Sequence, residues 1–341
     1  MTPLEVAVIG AGLSGLACAR TVADHGHRVR VYDKARGPGG RMSTRRAGAL
    51  RFDHGAQYFT VRDPRFARFV RSRHDDDLVA QWNGIIAVVR NGEVTIDEES
   101  TVRYVGVPGM NAVCRHLAAD LEVAYGVRAA GLERDGGRWL LFSETGERHG
   151  PFDAVVVSAP APQTAALLAD AAPGLAERAA SVGMAPCWAA MVAFPGPLEL
   201  PFDGAFVHDS PLSWVARNGS KPGRPAGETW VLHGSPEWSH DNLELDAEVA
   251  AGRLFGALSD AVGRDLSRPS HLVAHRWRFA LPTDPLRDPC LFDQSAAIAA
   301  CGDWCGGPRV EGAFLSGCAA AGRILGLSPA AAQASLFEDG R

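Results

Sequence analysis

The chain has 341 residues, which is enough for two domains or one large one. Hydrophobic residues make up 46% of it and charged residues 21%, so a sizeable globular core is expected. The formal net charge of −5 gives no support for a general nucleic-acid or anionic-membrane footprint, and neither kind of partner is expected.

The first fifty residues predict a strand, a helix and a second strand. An apolar run from Val6 to Ile9 indicates a buried strand, and an apolar helical pattern runs from Leu13 to about Ala23. A second strand from Val29 to Tyr32 ends at Asp33. This is the order of a βαβ unit in a parallel sheet.

The turn between the first strand and the helix carries the pattern G-x-G-x-x-G, formed by Gly10, Gly12 and Gly15. Gly10 permits the tight turn, Gly12 lets the backbone approach a pyrophosphate, and Gly15 lets the helix pack close to the strand. Leu13 and Ser14 lie at the helix N-terminus, where free N–H groups and the helix dipole attract phosphate. The pattern predicts dinucleotide binding, and a close-packed βαβ unit without a ligand is the alternative.

The loop after the second strand favours a diphosphate ligand. Asp33, 18 residues beyond the last glycine of the fingerprint, can accept hydrogen bonds from a ribose diol. Lys34 follows in the same loop, Gly39 and Gly40 let the backbone fold over a diphosphate, and Arg41 can pair with it bidentately. This stretch resembles the GG-R motif that contacts FAD in glutathione-reductase-like flavoproteins, notably the amine oxidase and phytoene desaturase groups. The resemblance implies FAD as the cofactor, and a solvated basic loop is the alternative.

The C-terminal part of the chain predicts a second piece of the same site. A short strand from Ile298 to Cys301 is followed by Gly302-Asp303, at the strand end where open α/β sheets bind ligands. Gly312-Ala313 opens a helix with an apolar stripe. In the same flavoprotein families the G-D pair contacts the ribityl and phosphate region of FAD, and the helix start points at the flavin N1/O2 edge. The resemblance therefore implies cofactor roles for Asp303, Gly312 and Ala313, with a simple turn acid as the alternative for Asp303.

The seven cysteines are scattered without a C-x-x-C pair, which favours a reduced, cytoplasmic protein over a disulfide framework. Cys301 and Cys305 do not have metal-ligand spacing, so packed thiols and no metal site are predicted. No motif for a covalent flavin link surrounds them, and non-covalent FAD is expected. The N-terminal residues do not have the pattern of a signal peptide.

The middle of the chain adds further candidate cofactor contacts. Gly55-Ala56 would allow the backbone close to an aromatic ring, Gln57 offers both a donor and an acceptor, and Tyr58 follows directly. Val127, just after a predicted strand, is a candidate for a backbone contact to adenine.

Composition and element pattern predict two interleaved domains. Residues 76–100 and 171–289 are assigned to a substrate domain on a mostly antiparallel sheet, with one long helix from about Leu243 to Val262. Residues 1–75, 101–170 and 290–341 are assigned to a discontinuous FAD-binding domain. The predicted fold class is α/β (α+β overall), with a glutathione-reductase-like Rossmann FAD-binding domain.

Seven stretches, in order along nearly the whole chain, resemble renalase-type flavoproteins of the flavin amine oxidase superfamily. They are GGRMSTRR, FDHGAQYFTVRDPRF, PGMNAVCRHLA, WVARNGSKPGR, WVLHGSPEWS, HRWRFALP and GDWCGGPRVEGAFLSG. The resemblance is closer to the bacterial members than to the animal protein. The resemblance implies an oxidase that transfers hydride from the 2-dihydro and 6-dihydro isomers of NAD(P)H to flavin N5. The products would be NAD(P)+ and, with O2, hydrogen peroxide.

An amine oxidase or desaturase-type flavoenzyme acting on another small substrate is the alternative. Amine oxidases of the polyamine type rely on a buried lysine near the flavin and a pair of aromatic rings. Lys221, in N-G-S-K-P-G-R, is predicted to lie in an exposed turn, and no tyrosine follows Tyr125. A dihydropyridine becomes an aromatic cation on losing hydride, so it needs no such base.

The candidate substrate-contacting residues are Gln57, Arg217, His233, Trp277 and Trp304. Trp277 and Trp304 could form an aromatic wall for a flat nicotinamide ring. His233 could donate to the carboxamide, and Arg217 could meet a substrate phosphate. The alternatives are core tryptophans, a satisfied buried histidine and a structural arginine.

Overall fold

The protein is described by a computed structural model that covers residues 2–98, 101–328, 332 and 336. Residues 99–100, which end the predicted substrate-domain segment 76–100, lie outside the described residues. So do most of residues 329–341, which end the predicted FAD-binding segment 290–341. The helices of the described chain are α1 Leu13–Asp24, α2 Pro64–Asp75, α3 Ala112–Leu117, α4 Ala161–Leu168, α5 Pro173–Ala180, α6 Pro236–Asp241, α7 Ala247–Val262 and α8 Arg309–Leu325. None of these described helices is long and apolar enough to cross a membrane.

The strands of the described chain contribute to two large sheets and three small ones. They are β1 Glu5–Ile9, β2 Arg28–Asp33, β3 Thr44–Ala47, β4 Leu50–Asp53, β5 Val79–Gln81, β6 Ile86–Arg90, β7 Glu93–Ile96, β8 Tyr104–Gly106, β9 Glu122–Tyr125, β10 Ala129–Asp135, β11 Arg138–Ser143, β12 Arg148–Phe152, β13 Ala154–Val157, β14 Met184–Phe194, β15 Gly204–His208, β16 Leu212–Arg217, β17 Glu228–Gly234, β18 His271–Pro282, β19 Leu291–Asp293 and β20 Ile298–Ala300.

The first large sheet has the strand order β19-β20-β13-β1-β2-β9. Its strands run parallel except for β19, which is antiparallel to β20. The continuous apolar runs of β1 and β13 suit strands that are covered on both faces. Because β1 and β20 come from opposite ends of the chain, the two predicted halves of the cofactor site meet in one sheet. The predicted α/β fold is confirmed.

The second large sheet has the strand order β18-β14-β17-β16-β15-β6-β7. Its neighbours are antiparallel except for β15 and β6. Helix α7 packs against this sheet through Ala250, Leu254 and Leu258. The sheet-rich second unit is therefore confirmed, while the domain boundaries drawn from the sequence stay a prediction.

Helices α1 and α8 pack together closely enough to require a glycine. A Cβ added to Gly317 would lie 2.0 Å from the Ser14 carbonyl oxygen, so no other residue fits there without a shift. This contact places the N-terminal turn of α1 against the middle of α8. Each helix follows a strand of the parallel sheet, so both begin at the edge where ligands are expected.

The long helix predicted from Leu243 begins later, at Ala247. The separate helix α6 ends at Asp241, before the predicted start, and its N-cap Ser235 accepts a hydrogen bond from the Trp238 amide. Asp246 occupies the N-cap position of α7. Since aspartate favours the N-cap position, the helix begins after Asp246 rather than at Leu243.

Candidate functional site

The carboxyl edge of the parallel sheet opens onto a cleft of about 2370 Å³. Its walls come from the glycine turn, the loop after β2, the 54–60 segment, the start of α8, and strands β17 and β18. A pocket for one drug-sized ligand takes roughly 300–1,000 Å³. The cleft therefore has room for a dinucleotide cofactor together with a substrate.

The glycine turn fits a diphosphate group. A Cβ on Gly10 would lie 2.2 Å from the Ser158 carbonyl oxygen, and one on Gly15 would lie 2.0 Å from the Gly10 carbonyl oxygen. A Cβ on Gly12 would meet no described atom within 4 Å, and Gly12 lines the cleft with Leu13 and Ser14. Among the described residues no side chain caps the N-terminus of α1. The turn is thus shaped by packing on one side and leaves amide donors for an anion on the other.

Asp33 lies at the end of β2, on the rim of the cleft. Its carboxylate accepts hydrogen bonds from the amides of Ala11 (2.6 Å) and Ala35 (2.7 Å). Its ribose role stays a prediction. The Val127 amide donates to the Asp33 carbonyl, so an adenine contact would use the Val127 carbonyl. Lys34 also lines the cleft and donates to Gln163 at 3.3 Å.

Arg41 joins the two distant halves of the predicted cofactor site. Its guanidinium binds the Asp303 carboxylate through two hydrogen bonds of 2.7 and 2.6 Å and donates to the Ala280 carbonyl at 2.9 Å. Arg41, Gly40 and Asp303 all line the cleft. Two further guanidinium N–H groups, at Nε and Nη2, have no partner among the described residues and can serve a phosphate.

The start of α8 differs in detail from the prediction. The helix begins at Arg309 rather than Gly312, and Ala313 lines the cleft. Gly312 packs away from it, because a Cβ there would lie 2.0 Å from the Gly307 carbonyl oxygen. The Glu311 carboxylate accepts hydrogen bonds from two amides of the 62–63 segment, which fixes that segment to the helix start.

The close approach at Gly55 is to backbone. A Cβ on Gly55 would lie 2.0 Å from the Arg41 carbonyl oxygen, and the Ala56 amide donates to the same oxygen at 2.9 Å. The two segments are therefore locked together along the cleft. Gly55, Ala56, Gln57 and Tyr58 all line it.

Trp277 forms an aromatic wall of the cleft, together with two histidines. Its ring centroid lies 4.4 Å from that of His275 at 75° and 5.0 Å from that of His54 at 33°. Its indole N–H donates to the His54 carbonyl at 2.9 Å. The wall is thus held rigidly between β18 and the segment after β4.

Trp304 and Arg217 do not lie on the cleft wall. The Trp304 side chain is fully buried in the core beside β1 and β13, and its indole donates to the Ala159 carbonyl at 2.9 Å. The Arg217 guanidinium binds Glu228 at 3.1 Å, reaches three backbone carbonyls, and lies over the Trp230 ring. The structure corrects both assignments, because residue type alone does not say which face of an element a side chain occupies.

Lys221 is buried, so the predicted exposed turn is wrong. Its side chain has no exposed surface, and its ammonium donates to the Gln57 side-chain oxygen at 2.9 Å. The Gln57 NH2 group lies 3.5 Å from His233 Nε2, and both Gln57 and His233 line the cleft. Lys221 therefore lies one residue behind the cleft wall.

A buried cluster of charged side chains supports this wall. The Asp53 carboxylate binds Arg224 at 2.5 and 3.1 Å and lies 3.7 Å from the Lys221 ammonium. It also accepts hydrogen bonds from Thr44 and from the Met110 amide. All three charged side chains are at most 1% exposed. The cluster joins β4 to the loop between β16 and β17.

Sequence reasoning missed Asp53, His54, Lys221 and His275. The signal for Lys221 was its rarity, since it is one of only two lysines among 34 basic residues. Lysine tolerates burial with a shifted pKa where arginine keeps its charge, so a lone lysine in an arginine-rich chain indicates a special environment. His275 and Trp277 lie two residues apart on β18 and so share one face of it.

Three histidines of the cleft wall have lowered pKa values. Burial lowers the pKa of His54 to about 3 and lowers those of His233 and His275 to about 4. Neighbouring positive or histidine charges act in the same direction. Neutral imidazoles therefore face the cleft at pH 7.

This arrangement predicts a loss of stability in mild acid. The unfolded chain protonates His54 near its ordinary pKa of 6.5, whereas the folded protein does so only at about 3. The free energy of unfolding must then fall as the pH drops below 6.5, by about 2 kcal/mol between pH 7 and pH 5 for His54 alone. We expect His54→Asn to remove that share, measured by urea denaturation at both pH values. An unchanged pH dependence in the variant would contradict the lowered pKa.

Comparison with known proteins identifies the relatives of this architecture. Residues 8–72 match the NAD(P)-binding Rossmann-like domain, and residues 92–325 match the flavin containing amine oxidoreductase family. A segment of 52 residues is 42% identical to a 4,4'-diapophytoene desaturase of Staphylococcus aureus, covering 15% of this chain. That match spans only 10% of the length of the desaturase.

Solved structures share the fold over nearly the whole chain. A candidate protoporphyrinogen oxidase from Exiguobacterium sp. 255-15 superposes with a TM-score of 0.72 at 13% identity, over 93% of this chain and 97% of its own. A putrescine oxidase, solved with putrescine bound, gives 0.69 at 14% identity, over 95% and 99%. At these identities the likeness shows the fold alone. The match over residues 92–325, which is more than half of the sequence, shows that this chain belongs to the flavin-containing amine oxidoreductase family.

Proposed function

We propose that this protein is a renalase-type oxidase that acts on the 2-dihydro and 6-dihydro isomers of NAD(P)H. FAD, bound non-covalently, is the proposed cofactor, and O2 is the proposed acceptor. FAD would supply the redox chemistry by accepting hydride from the dihydropyridine ring, which would become NAD(P)+. O2 would accept the two electrons, the hydride-derived proton and one proton from solvent to form hydrogen peroxide.

The charge of the cleft is the observation that carries the proposal. Its lining contains eleven arginines and one lysine, against four carboxylates, in a chain whose net charge is −5. Six of these arginines have no ion-pair partner among the described residues: Arg36, Arg45, Arg46, Arg62, Arg115 and Arg309. The diphosphate of FAD carries two negative charges and neutralises only part of this excess. The remaining positive charge of the cleft suits a second ligand that carries phosphate groups.

The same charges disfavour a diamine substrate. Putrescine is a dication near neutral pH, and a site for it needs free carboxylates. The four carboxylates of the described cleft lining are already engaged, Asp33 by backbone amides, Asp97 by Arg103, Glu144 by Arg128 and Asp303 by Arg41. An excess of positive charge then repels the amine.

The cleft wall suits a flat ring that needs positioning rather than deprotonation. Trp277 offers an indole face, and the neighbouring His54 and His275 are neutral at pH 7. Imidazoles with pKa values of about 3 and 4 are weak bases. The residues of this chain would orient the dihydropyridine and exclude water, and hydride loss requires no proton acceptor on carbon.

Anaerobic mixing of the FAD-loaded protein with matched compounds tests the proposal. We expect rapid bleaching of the oxidised flavin by 2-dihydro- or 6-dihydro-NAD and no bleaching by putrescine. The matching dihydronicotinamide riboside, which lacks phosphates, should need at least a 10-fold higher concentration for half-maximal rate, because each charge-assisted hydrogen bond contributes roughly 1.5–3 kcal/mol.

The outcomes separate the candidates. Bleaching by putrescine but by neither dihydro isomer would establish the amine oxidase alternative. If the rate of bleaching depends equally on the concentrations of the dinucleotide and the riboside, the cleft arginines do not bind the substrate phosphates. Bleaching by none of these compounds would contradict the proposed substrate class.

A further inference from the structure

We propose that Lys221 is a positioning residue that acts through Gln57, holding the Gln57 amide so that its NH2 group faces His233 on the cleft wall. This inference rests on the proposed flavin site but is independent of which substrate reduces the flavin. It assigns a role to a buried cation that never reaches the cleft itself.

Hydrogen bonding fixes the orientation of the Gln57 amide. The Lys221 ammonium can only donate, and it lies 2.9 Å from Gln57 Oε1. The NH2 group of Gln57 is directed to the Asp53 and Gly55 carbonyls and lies 3.5 Å from His233 Nε2. Rotating the amide by 180° would set its NH2 group against the ammonium. Lys221 and the two backbone carbonyls therefore favour the same amide orientation.

The ion-pair geometry shows that Lys221 is not needed to neutralise Asp53. Arg224 already binds the Asp53 carboxylate at 2.5 and 3.1 Å, whereas the Lys221 ammonium is 3.7 Å away. The shortest hydrogen bond of the ammonium is the one to Gln57, followed by Asn218 at 3.4 Å. The Trp82 ring, 5.6 Å from the ammonium, closes another side. The Lys221 ammonium thus makes its shortest hydrogen bond to Gln57 rather than to Asp53.

The charge on Lys221 titrates near neutral pH. Burial lowers its pKa to about 7, with Asp53 opposing and Arg224 reinforcing the shift. The charged or titratable groups that face it are Asp53 on β4, Arg224 on the same loop, and His233 on β17. Burial and then the Lys221 charge lower the pKa of His233. Gln57 and His233 should both respond when Lys221 loses its proton.

The first test uses the absorption spectrum of the FAD-loaded protein without substrate, titrated from pH 6 to pH 9. We expect a spectral change with a midpoint near pH 7 in the native protein. Lys221→Met should abolish it, because it removes the titrating group. Gln57→Leu should reduce its amplitude, because it removes the hydrogen-bonded residue between Lys221 and the cleft. Ser220→Ala, in the same turn but without contact to Gln57, should keep it. Persistence of the change in Lys221→Met, an unreduced amplitude in Gln57→Leu, or absence of the change from the native protein would overturn the proposal.

The second test is a double-mutant cycle on the rate of flavin reduction by 6-dihydro-NAD. Lys221→Met and Gln57→Leu should each lower the rate about 10-fold, which corresponds to one misplaced hydrogen bond. The double variant should be no slower than Gln57→Leu alone. Lys221→Gln keeps a donor and should recover part of the rate, which also covers failure of Lys221→Met to fold. Additive losses would overturn the proposal. If 6-dihydro-NAD fails to reduce the native protein, the proposed function falls while the spectral test still decides the role of Lys221.

Discussion

Replacing Asp53 by asparagine is expected to lower the free energy of unfolding by about 3–5 kcal/mol, because it leaves the buried Arg224 guanidinium without a counter-charge. The Asp53 carboxylate is fully buried and binds Arg224 at 2.5 Å, with Lys221 at 3.7 Å. Although burial opposes ionisation of Asp53, these two charges lower its pKa, so it is ionised at pH 7. Urea denaturation of Asp53→Asn at pH 7 measures the loss.

The chain provides a matched control for this substitution. Asp288 pairs with Arg178 at the same 2.5 Å, but both side chains are nearly half exposed. Exposed ion pairs contribute roughly 0–1 kcal/mol, so Asp288→Asn should have little effect. Similar losses in the two variants would mean that the Asp53 cluster is not a buried, energetically coupled unit.

Replacing Arg41 by alanine is expected to weaken FAD binding by about 100-fold or more. Arg41 connects the loop after β2 to Asp303 beyond β20, and it also holds the Ala280 carbonyl of β18. The variant loses the charge-assisted hydrogen bonds to Asp303 that fix the cleft. It also loses the two N–H groups left for a phosphate, and each charge-assisted hydrogen bond contributes roughly 1.5–3 kcal/mol of binding free energy. Fluorescence titration of the apoprotein with FAD measures the change in affinity.

Two comparison variants make the Arg41 result specific. Arg28→Ala removes a largely exposed arginine that pairs with Glu5 at the far end of the same βαβ unit, and its FAD affinity should be unchanged. Arg41→Lys keeps the charge but loses the planar fork, so it should fall between the native protein and Arg41→Ala. Full retention of FAD by Arg41→Ala after dialysis would contradict the role given to this residue.

The glycine fingerprint could be predicted from sequence because its contacts are local. Gly10, Gly12 and Gly15 lie within one strand–turn–helix unit, and an added Cβ would clash at Gly10 and Gly15 but not at Gly12. The apolar runs of β1 and β13 likewise predict strands covered on both faces. Elements whose signal lies in a few consecutive residues can therefore be predicted from the sequence.

The part of the site around Lys221 depends on contacts between residues that are far apart in the sequence. Lys221 lies in a glycine- and proline-rich stretch typical of an exposed turn, and only its meeting with Gln57, 164 positions away, buries it. Trp304 and Arg217 failed as cleft residues for the same reason. An indole or guanidinium suits a ligand site or a core equally well, and the neighbouring strands decide which face it occupies.

Titration of the purified apoprotein with FAD, followed by flavin absorbance and fluorescence, measures directly whether the cleft binds the flavin. We expect one FAD to bind per chain, in a cleft built from the glycine turn at Gly12 and the turn at Asp303. A correctly folded protein that takes up no FAD would contradict the assignment of the arginine-lined cleft as the FAD site.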